Sequence, residues 1–306
     1  MFKPAGIIPA MVTPFDANHH VDETALRQLV RRLVEARVHG LFCLGTNGEF
    51  FYLTAEEKLR VAEIVIDEAQ GKLPVYVGAG CAGTKETVWL AERLERLGAD
   101  ALSIITPYFL TFTQQELMGH YQTVAAATSL PLIMYNIPAR TGNSLQPRTV
   151  GELSKVPTIV GIKDSSGSFD TILQYLELTG PDFAVLAGTD SLILPTLMAG
   201  GHGAIAATAN VFPETVRSIY ELWLQGKTEE AELAQRHLRA LRSAFSLGTL
   251  PSVLKEAMKL IGLPAGESRL PVQPLSPEAK AVLTGVMEKY REAGLFDAAG
   301  LPGNSI

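Results

Sequence analysis

Cysteine is scarce in this chain of 306 residues: there are two, Cys43 and Cys81. Two thiols make no disulfide framework, and such sparing use fits a reducing cytoplasm, with both read as buried and inert. Excess positive charge is missing as well. The 26 Lys and Arg stand against 32 Asp and Glu, a formal net charge of -6, which offers no electrostatic footing for nucleic acid or an anionic membrane. No apolar run approaches the ~20 residues of a membrane span. Residues 1–14 hold one lysine and an apolar run broken by Pro9, which is not a signal-peptide pattern. The six histidines are scattered, and the pair His19-His20 lacks the i, i+4 spacing of helix-borne metal ligands. A Gly-x-Ser-x-Gly nucleophile elbow is absent, so a serine-based reaction of that kind is not expected.

What is present is alternation. Short apolar runs of strand type occur at 7–12, 41–44, 75–77, 101–105, 132–135, 159–163, 184–187 and 204–206. Between them lie amphipathic stretches at 22–38, 55–70, 85–97, 114–128, 147–153, 169–178, 191–199 and 213–225. Thr54-Ala55-Glu56-Glu57 and Thr113-Gln114-Gln115-Glu116 both read as capping boxes that satisfy the free amides of a first helical turn. Eight strand–helix units predict an α/β fold, a (β/α)8 TIM barrel, with a doubly wound open sheet as the alternative. After Gln225 the alternation stops. Helical patterns at 228–247, 251–261 and 277–293, the last capped by Ser276 with Pro277 at its first position, form a C-terminal helical appendix. The expected organisation is a catalytic barrel over 1–226 and a three-helix extension over 227–306, with a frayed tail at 300–306.

Gly78-Ala79-Gly80-Cys81-Ala82-Gly83 follows a strand, opens onto a helix and matches the G-x-G-x-x-G dinucleotide fingerprint. The acidic residue at the required distance, Asp100, precedes the next strand instead of following it. It lies away from the carboxyl edge where a ribose would sit, so these glycines are read as lining a barrel rim. No nicotinamide or other cofactor, and no metal, is expected.

Active sites of such barrels gather at the carboxyl ends of the strands. The run Ile159-Val160-Gly161-Ile162-Lys163-Asp164-Ser165-Ser166-Gly167 is apolar on both faces until it ends in a lysine. Alternation puts Ile159, Gly161 and Lys163 on one face, with Gly161 leaving room beneath the lysine stem. An ammonium inside a parallel sheet is poorly solvated; desolvation favours the neutral amine, a nucleophile towards carbonyl carbon. The plain alternative is a lysine that reaches water at a strand end. Other strand ends add Gly45-Thr46-Asn47-Gly48-Glu49, a loop shaped to turn amides towards a small anion. They also add Thr106-Pro107-Tyr108-Phe109, Tyr135-Asn136-Ile137-Pro138-Ala139-Arg140-Thr141-Gly142, Gly188-Thr189-Asp190 and the flat Gly200-Gly201-His202-Gly203-Ala204-Ile205. Singly, Tyr135 reads as a core tyrosine and Arg140 as a solvated loop charge. Together they offer an anion cradle, a phenol, a guanidinium and a desolvated lysine at one barrel mouth, the equipment of a Schiff-base aldolase.

The segments GTNGE, TPYF, YNIPARTG, GIKDSSG and AGTD resemble the family of dihydrodipicolinate synthase and N-acetylneuraminate lyase over nearly the whole chain. The resemblance implies a (β/α)8 barrel, a pyruvate-dependent class I mechanism without cofactor, and commonly a homotetramer. It makes Lys163 the lysine that forms an imine with pyruvate, and Tyr135 the proton shuttle, hydrogen-bonded to Thr46. Thr46, Asn47 and Gly48 become the pyruvate-carboxylate loop, and Arg140 the partner of a carboxylate on the aldehyde. Ile205 falls where the family offers a carbonyl to the lysine region; Gly188 and Tyr108 are further substrate-binding expectations. Departures are Asn47 where the synthase usually has a second threonine, and Phe109 where the family usually places a tyrosine that reaches the neighbouring subunit's site. A relay without that hydroxyl falls to Tyr108, a water or nothing. Phe50, Phe51, Ala55, Lys58 and Ala82 replace the residues that bind inhibitory lysine in regulated synthases. The expected function is condensation of pyruvate with a carboxylated aldehyde such as aspartate semialdehyde. The alternatives are an aldolase for 2-keto-3-deoxy sugar acids and a silent relative that binds keto acids.

Overall fold

The computed structural model describes residues 2–296, and the tail expected at 300–306 lies outside them. Eight strands carry the fold: β1 Gly6–Pro9, β2 Leu41–Cys43, β3 Val75–Gly78, β4 Ala101–Ile105, β5 Leu132–Asn136, β6 Ile159–Asp164, β7 Ala184–Ala187 and β8 Gly203–Ala206. The helices between them are α1 Glu23–Glu35, α2 Ala55–Ala69, α3 Thr84–Leu97, α4 Gln114–Ala126, α5 Pro138–Thr141, α6 Pro147–Leu153, α7 Phe169–Leu178, α8 Ile193–Met198 and α9 Pro213–Leu224. Three more follow: α10 Thr228–Ala244, α11 Leu250–Leu260 and α12 Pro277–Glu292. All strand pairs are parallel, and the ladder runs β1-β8-β7-β6-β5-β4-β3-β2. A single parallel bridge, Ala10 to Phe42, joins the two ends, so the sheet is a nearly closed (β/α)8 barrel and the open-sheet alternative falls.

Strand alternation sorts the core into two shells. Ile8, Phe42, Tyr76, Ala101, Ile133, Leu186 and Ile205 pack together inside the barrel. Val77, Leu102, Ile104, Met134, Ile162 and Val185 face outward, where they meet the apolar stripes of the helices. Both capping boxes form, at Thr54 with Glu57 and at Thr113 with Glu116. Ser276 caps α12, its side chain accepting from the Ala279 amide. The C-terminal helices pack their own cluster, including Leu241, Leu254, Met258, Leu283 and Tyr290, against Val12, Val211 and Phe212 of the barrel.

Several boundaries differ from the sequence expectation. The first strand ends at Pro9, although the Ala10 amide still donates to Ala206 O at 2.9 Å and the Met11 amide to Phe42 O at 2.8 Å; strand pairing is lost by Val12, whose amide donates to Asn210 Oδ1. The second stops before Leu44, which turns into the left-handed region at φ 57. Helix α1 ends at Glu35 because Arg37 adopts φ 54. Gly161 is not a space beneath the lysine stem. A Cβ there would meet Ala184 O at 2.6 Å, so the glycine admits the neighbouring strand β7. Similarly Gly78 lies against the Leu44 carbonyl and Gly80 against the Ile105 backbone. These two members of the fingerprint are places of close strand packing at the rim.

Candidate active site

The parallel ladder of β5 and β6 sets Tyr135 beside Lys163 in register, and Leu186 of β7 beside the lysine on its other side. Tyr135 follows Ile133 by two, and Lys163 is level with Leu186. Both therefore point into the barrel, two residues beyond the level of Ile133 and Gly161. Lys163 is 4% exposed. Its Nζ lies 4.0 Å from the centre of the Tyr135 ring and 5.1 Å from that of Phe42, and no carboxylate among the described residues pairs with it. The sequence places a charged group at a strand end. The fold buries it against two aromatic faces.

Tyr135 Oη and Thr46 Oγ1 lie 3.2 Å apart. Thr46 belongs to a tight turn in which the Gly48 amide donates to Gly45 O and the Glu49 amide to Thr46 O. The Gly48 carbonyl accepts from Thr13 Oγ1 at 2.8 Å, which ties the turn to the end of β1. The amides of Thr46 and Asn47 donate to no protein acceptor among the described residues, which leaves two donors for an anion. The Asn47 side chain donates to Ala10 O at 3.2 Å, so it anchors the loop. Gly48 shapes the turn without lining the cavity.

These groups open into one cavity of about 320 Å³, lined among others by Thr46, Asn47, Tyr135, Arg140, Lys163, Gly188 and Ile205. Asp190 lines it too, but both its oxygens accept backbone amides, from Ala207 at 3.1 Å and Thr208 at 2.7 Å. Gly188 is obligatory: a Cβ would stand 2.1 Å from Ser165 Oγ and 2.7 Å from Asp164 O. Arg140 sits on the single turn α5, exposed and unpaired among the described residues.

Beneath the site, Asn136 Nδ2 donates to Asp164 Oδ2 at 2.7 Å and to Tyr175 Oη at 3.2 Å, and Tyr175 donates to Leu145 O. The Leu145 amide closes the circuit on Asn136 Oδ1. Burial pushes the Asp164 carboxyl up, opposed by its hydrogen bonds from Ser166 and Asn136. This net fixes the strand ends that carry Tyr135 and Lys163. Cys43 and Cys81 are pushed up by burial to about 12 and about 11, so neither presents a thiolate near neutral pH.

Tyr108 departs from the expectation. It lines an adjoining cavity of about 220 Å³ with Phe50, Phe51, Thr46, Arg140 and Leu250, and makes no hydrogen bond to Tyr135 or Thr46. The strand before it ends at Ile105, and the chain turns outward through Pro107. Phe109 is 93% exposed with φ 84. Sequence reasoning missed Ser165, Arg242, Phe245 and Leu250, which also line the main cavity. The last three come from the helical appendix, and helical periodicity tells which face is apolar, not what that face meets.

The Dihydrodipicolinate synthetase family model matches residues 3–289. The chain belongs to that family. A curated relative, the 4-hydroxy-tetrahydrodipicolinate synthase of Methanopyrus kandleri, is 40% identical over 301 residues, covering 98% of this chain and 99% of the relative. An uncharacterized DapA-like lyase of Halobacterium salinarum is 38% identical, covering 91% of each. Among solved structures, the 4-hydroxy-tetrahydrodipicolinate synthase of Methylacidiphilum fumariolicum SolV matches with a TM-score of 0.92 at 33% identity, covering 95% of this chain and 97% of that one. A prophage protein of the family from E. coli K12, in complex with pyruvate, matches at 0.91 and 33%, covering 94% and 98%. The chain is a lyase of this family on a (β/α)8 scaffold. No helix among the described residues is long and apolar enough to cross a membrane.

Proposed function

We propose that the chain condenses pyruvate with an aldehyde bearing an anionic group, through an imine on Lys163. Supporting this reading above all is the placement of Lys163 at 4% exposure, in register with Tyr135, whose hydroxyl meets Thr46. The two free amides of Thr46 and Asn47 hold the pyruvate carboxylate. The Lys163 amine adds to the keto carbon, and the carbinolamine expels water to give the imine. Tyr135, exchanging protons with Thr46, delivers the proton the departing hydroxyl needs. Tyr135, having given its proton to the departing water, takes one from the methyl group to leave an enamine; the enamine carbon attacks the aldehyde, whose oxygen receives that proton from Tyr135, and water then releases the product from Lys163. Arg140 binds the anionic end of the aldehyde. No cofactor enters these steps.

For the aldehyde, aspartate semialdehyde is the first candidate, as the synthase relatives' names suggest. One observation favours a second reading, a 2-keto-3-deoxy sugar acid aldolase. Phe109 has no hydroxyl to lend a relay, and Tyr108 lies in the adjoining cavity without a hydrogen bond to Tyr135 or Thr46. A homotetramer in the cytoplasm completes the proposal, and the exposed pair Phe109 and Leu110 supports a subunit contact. The test is borohydride reduction in the presence of pyruvate, followed by mass mapping and an assay of pyruvate consumption against a panel of aldehydes. The expected result is one pyruvate adduct on Lys163 and loss of activity. An adduct on another lysine, or none, refutes the mechanism.

A further inference from the structure

The main cavity is cationic in an acidic protein. Three basic side chains line it, Lys163, Arg140 and Arg242, against one carboxylate, Asp190, whose two oxygens already accept the Ala207 and Thr208 amides. The chain as a whole carries a formal -6. The pyruvate carboxylate is assigned to the Thr46 and Asn47 amides, which leaves the two guanidiniums of the cavity without an anionic partner in the first substrate.

Arg242 is the group whose presence the reaction so far leaves unexplained. It lies in the last turn of α10, half-buried, with its guanidinium 5.5 Å from the centre of the Phe245 ring. Phe245 lines the same cavity. Neither a salt bridge nor a side-chain hydrogen bond engages Arg242 among the described residues, and residues 238–246 contain no acid. Ion pairs elsewhere on the helices occupy several other arginines, such as Arg27 with Glu23 and Arg217 with Glu221. The backbone beneath Arg242 is held firmly: the Leu241 amide donates to Tyr290 Oη of α12 at 2.9 Å. An unpaired guanidinium on a fixed helix turn, facing a cavity with a second unpaired guanidinium, is a built anion receptor.

We propose that Arg242 is a specificity-determining residue that shares with Arg140 the anionic end of the second substrate. Together they select aldehydes carrying a carboxylate or phosphate away from the carbonyl. This rests on the reading of Lys163 as the imine-forming lysine. The two guanidiniums approach from opposite parts of the fold, Arg140 from the loop after β5 and Arg242 from the appendix. The appendix therefore reads the substrate while the barrel supplies the reacting amine.

The experiment compares three aldehydes as partners for pyruvate: glyceraldehyde 3-phosphate, succinic semialdehyde and the neutral propanal. Wild type is expected to prefer one or both anionic aldehydes, and Arg242→Gln is expected to reduce that preference by about ten- to a hundredfold, mainly through KM. Arg242→Lys, which keeps the charge without the fork, recovers part of it. The anionic aldehyde that loses more tells whether the receptor serves phosphate or carboxylate. Borohydride trapping of pyruvate on Lys163 in the same preparations separates the two claims. Trapping without any preference for anions in wild type, or an unchanged preference in Arg242→Gln, overturns the role of Arg242 alone. Absence of trapping in wild type overturns the imine reading and this inference with it.

Discussion

Lys255 Nζ lies 2.6 Å from Glu49 Oε1, with side-chain exposures of 1% and 0%. Glu49 ends the turn that carries Thr46 and Asn47, and it does so at φ 55, a left-handed conformation that costs a non-glycine residue on the order of 1 kcal/mol. Its other oxygen accepts the Arg269 amide at 2.9 Å. The chain around Arg269 is clamped further, since its guanidinium bonds to Tyr52 O at 3.0 Å and to the carboxylate of Glu57. Helix α11 and the segment after it therefore pin the proposed pyruvate loop from outside the barrel.

The pair sets a pH signature in stability. Burial pushes the Lys255 ammonium down from 10.5 to about 8, with Glu49 opposing the shift. Between about pH 8 and 10.5 the unfolded chain holds a proton that the folded chain has released, so this residue's contribution to stability rises with pH through that window. The full difference is on the order of 3 kcal/mol. Chemical denaturation of wild type beside the double variant Lys255→Met, Glu49→Gln checks it. The wild-type stability minus that of the variant should climb from pH 8 to 10.5, and a flat difference would contradict the assignment.

A second prediction separates charge from nucleophilicity at Lys163. Lys163→Arg sets a guanidinium beside the Tyr135 and Phe42 rings but offers no amine that forms an imine, so activity should fall to background while the protein stays folded. Tyr135→Phe removes the hydroxyl that meets Thr46 and should lower kcat by about a hundred- to ten-thousandfold, with pyruvate binding far less affected. Pre-steady-state imine formation and equilibrium binding of pyruvate distinguish the two effects. A Tyr135→Phe enzyme within about threefold of wild type would remove the phenol from the mechanism.

Much of the architecture was legible because a parallel barrel repeats one physical unit. Buried strands read as short apolar runs, and helices as longer amphipathic ones, so eight units could be counted and the ends of β5 and β6 located to within a residue. Closure was not legible: it rests on the single Ala10 to Phe42 bridge, and nothing in either residue's type announces it. The turn α5, which carries Arg140, is too short to show a period. Tyr108 illustrates a different limit. Adjacency to a strand end suggested the main cavity, yet Pro107 and the turn after it send the side chain to the neighbouring one. Arg242 and Lys255 were missed for a third reason: Arg242 shares a cavity with strand ends, and Lys255 an ion pair with a turn, that lie far away in the sequence, and such relationships leave no local pattern.

Free lysine gives a third test. Lys58 is buried at 8% exposure, its Nζ 5.8 Å from the Phe50 ring centre, and no carboxylate pairs with it among the described residues. A cation held in that corner repels a second one, and Phe50, Phe51 and Ala82 offer no polar side chains to compensate. Initial rates should be unchanged by millimolar lysine. Inhibition in that range would show that the segment from Phe50 to Lys58 binds the amino acid by contacts other than those of regulated synthases.

The final prediction concerns Arg140 and its coupling to Arg242. Arg140 is exposed at the cavity mouth, so its bond to an anionic aldehyde forms in partly solvated surroundings. Removing it should cost about 1.5–3 kcal/mol, roughly a ten- to hundred-and-fifty-fold loss in kcat/KM for that aldehyde. Imine formation with pyruvate should persist in Arg140→Ala, because it uses Lys163, Tyr135 and the Thr46–Asn47 amides. A neutral aldehyde of the same length should lose much less. If both arginines hold one anion, the losses in Arg140→Ala and Arg242→Gln should not add in the double variant, with a coupling of at least about 0.5 kcal/mol. Additive losses would mean that the two guanidiniums serve different parts of the substrate. Equal losses on acid and neutral aldehydes in Arg140→Ala would instead give Arg140 a role in holding the loop after β5, and the carboxylated-aldehyde reading would yield to the sugar-acid aldolase.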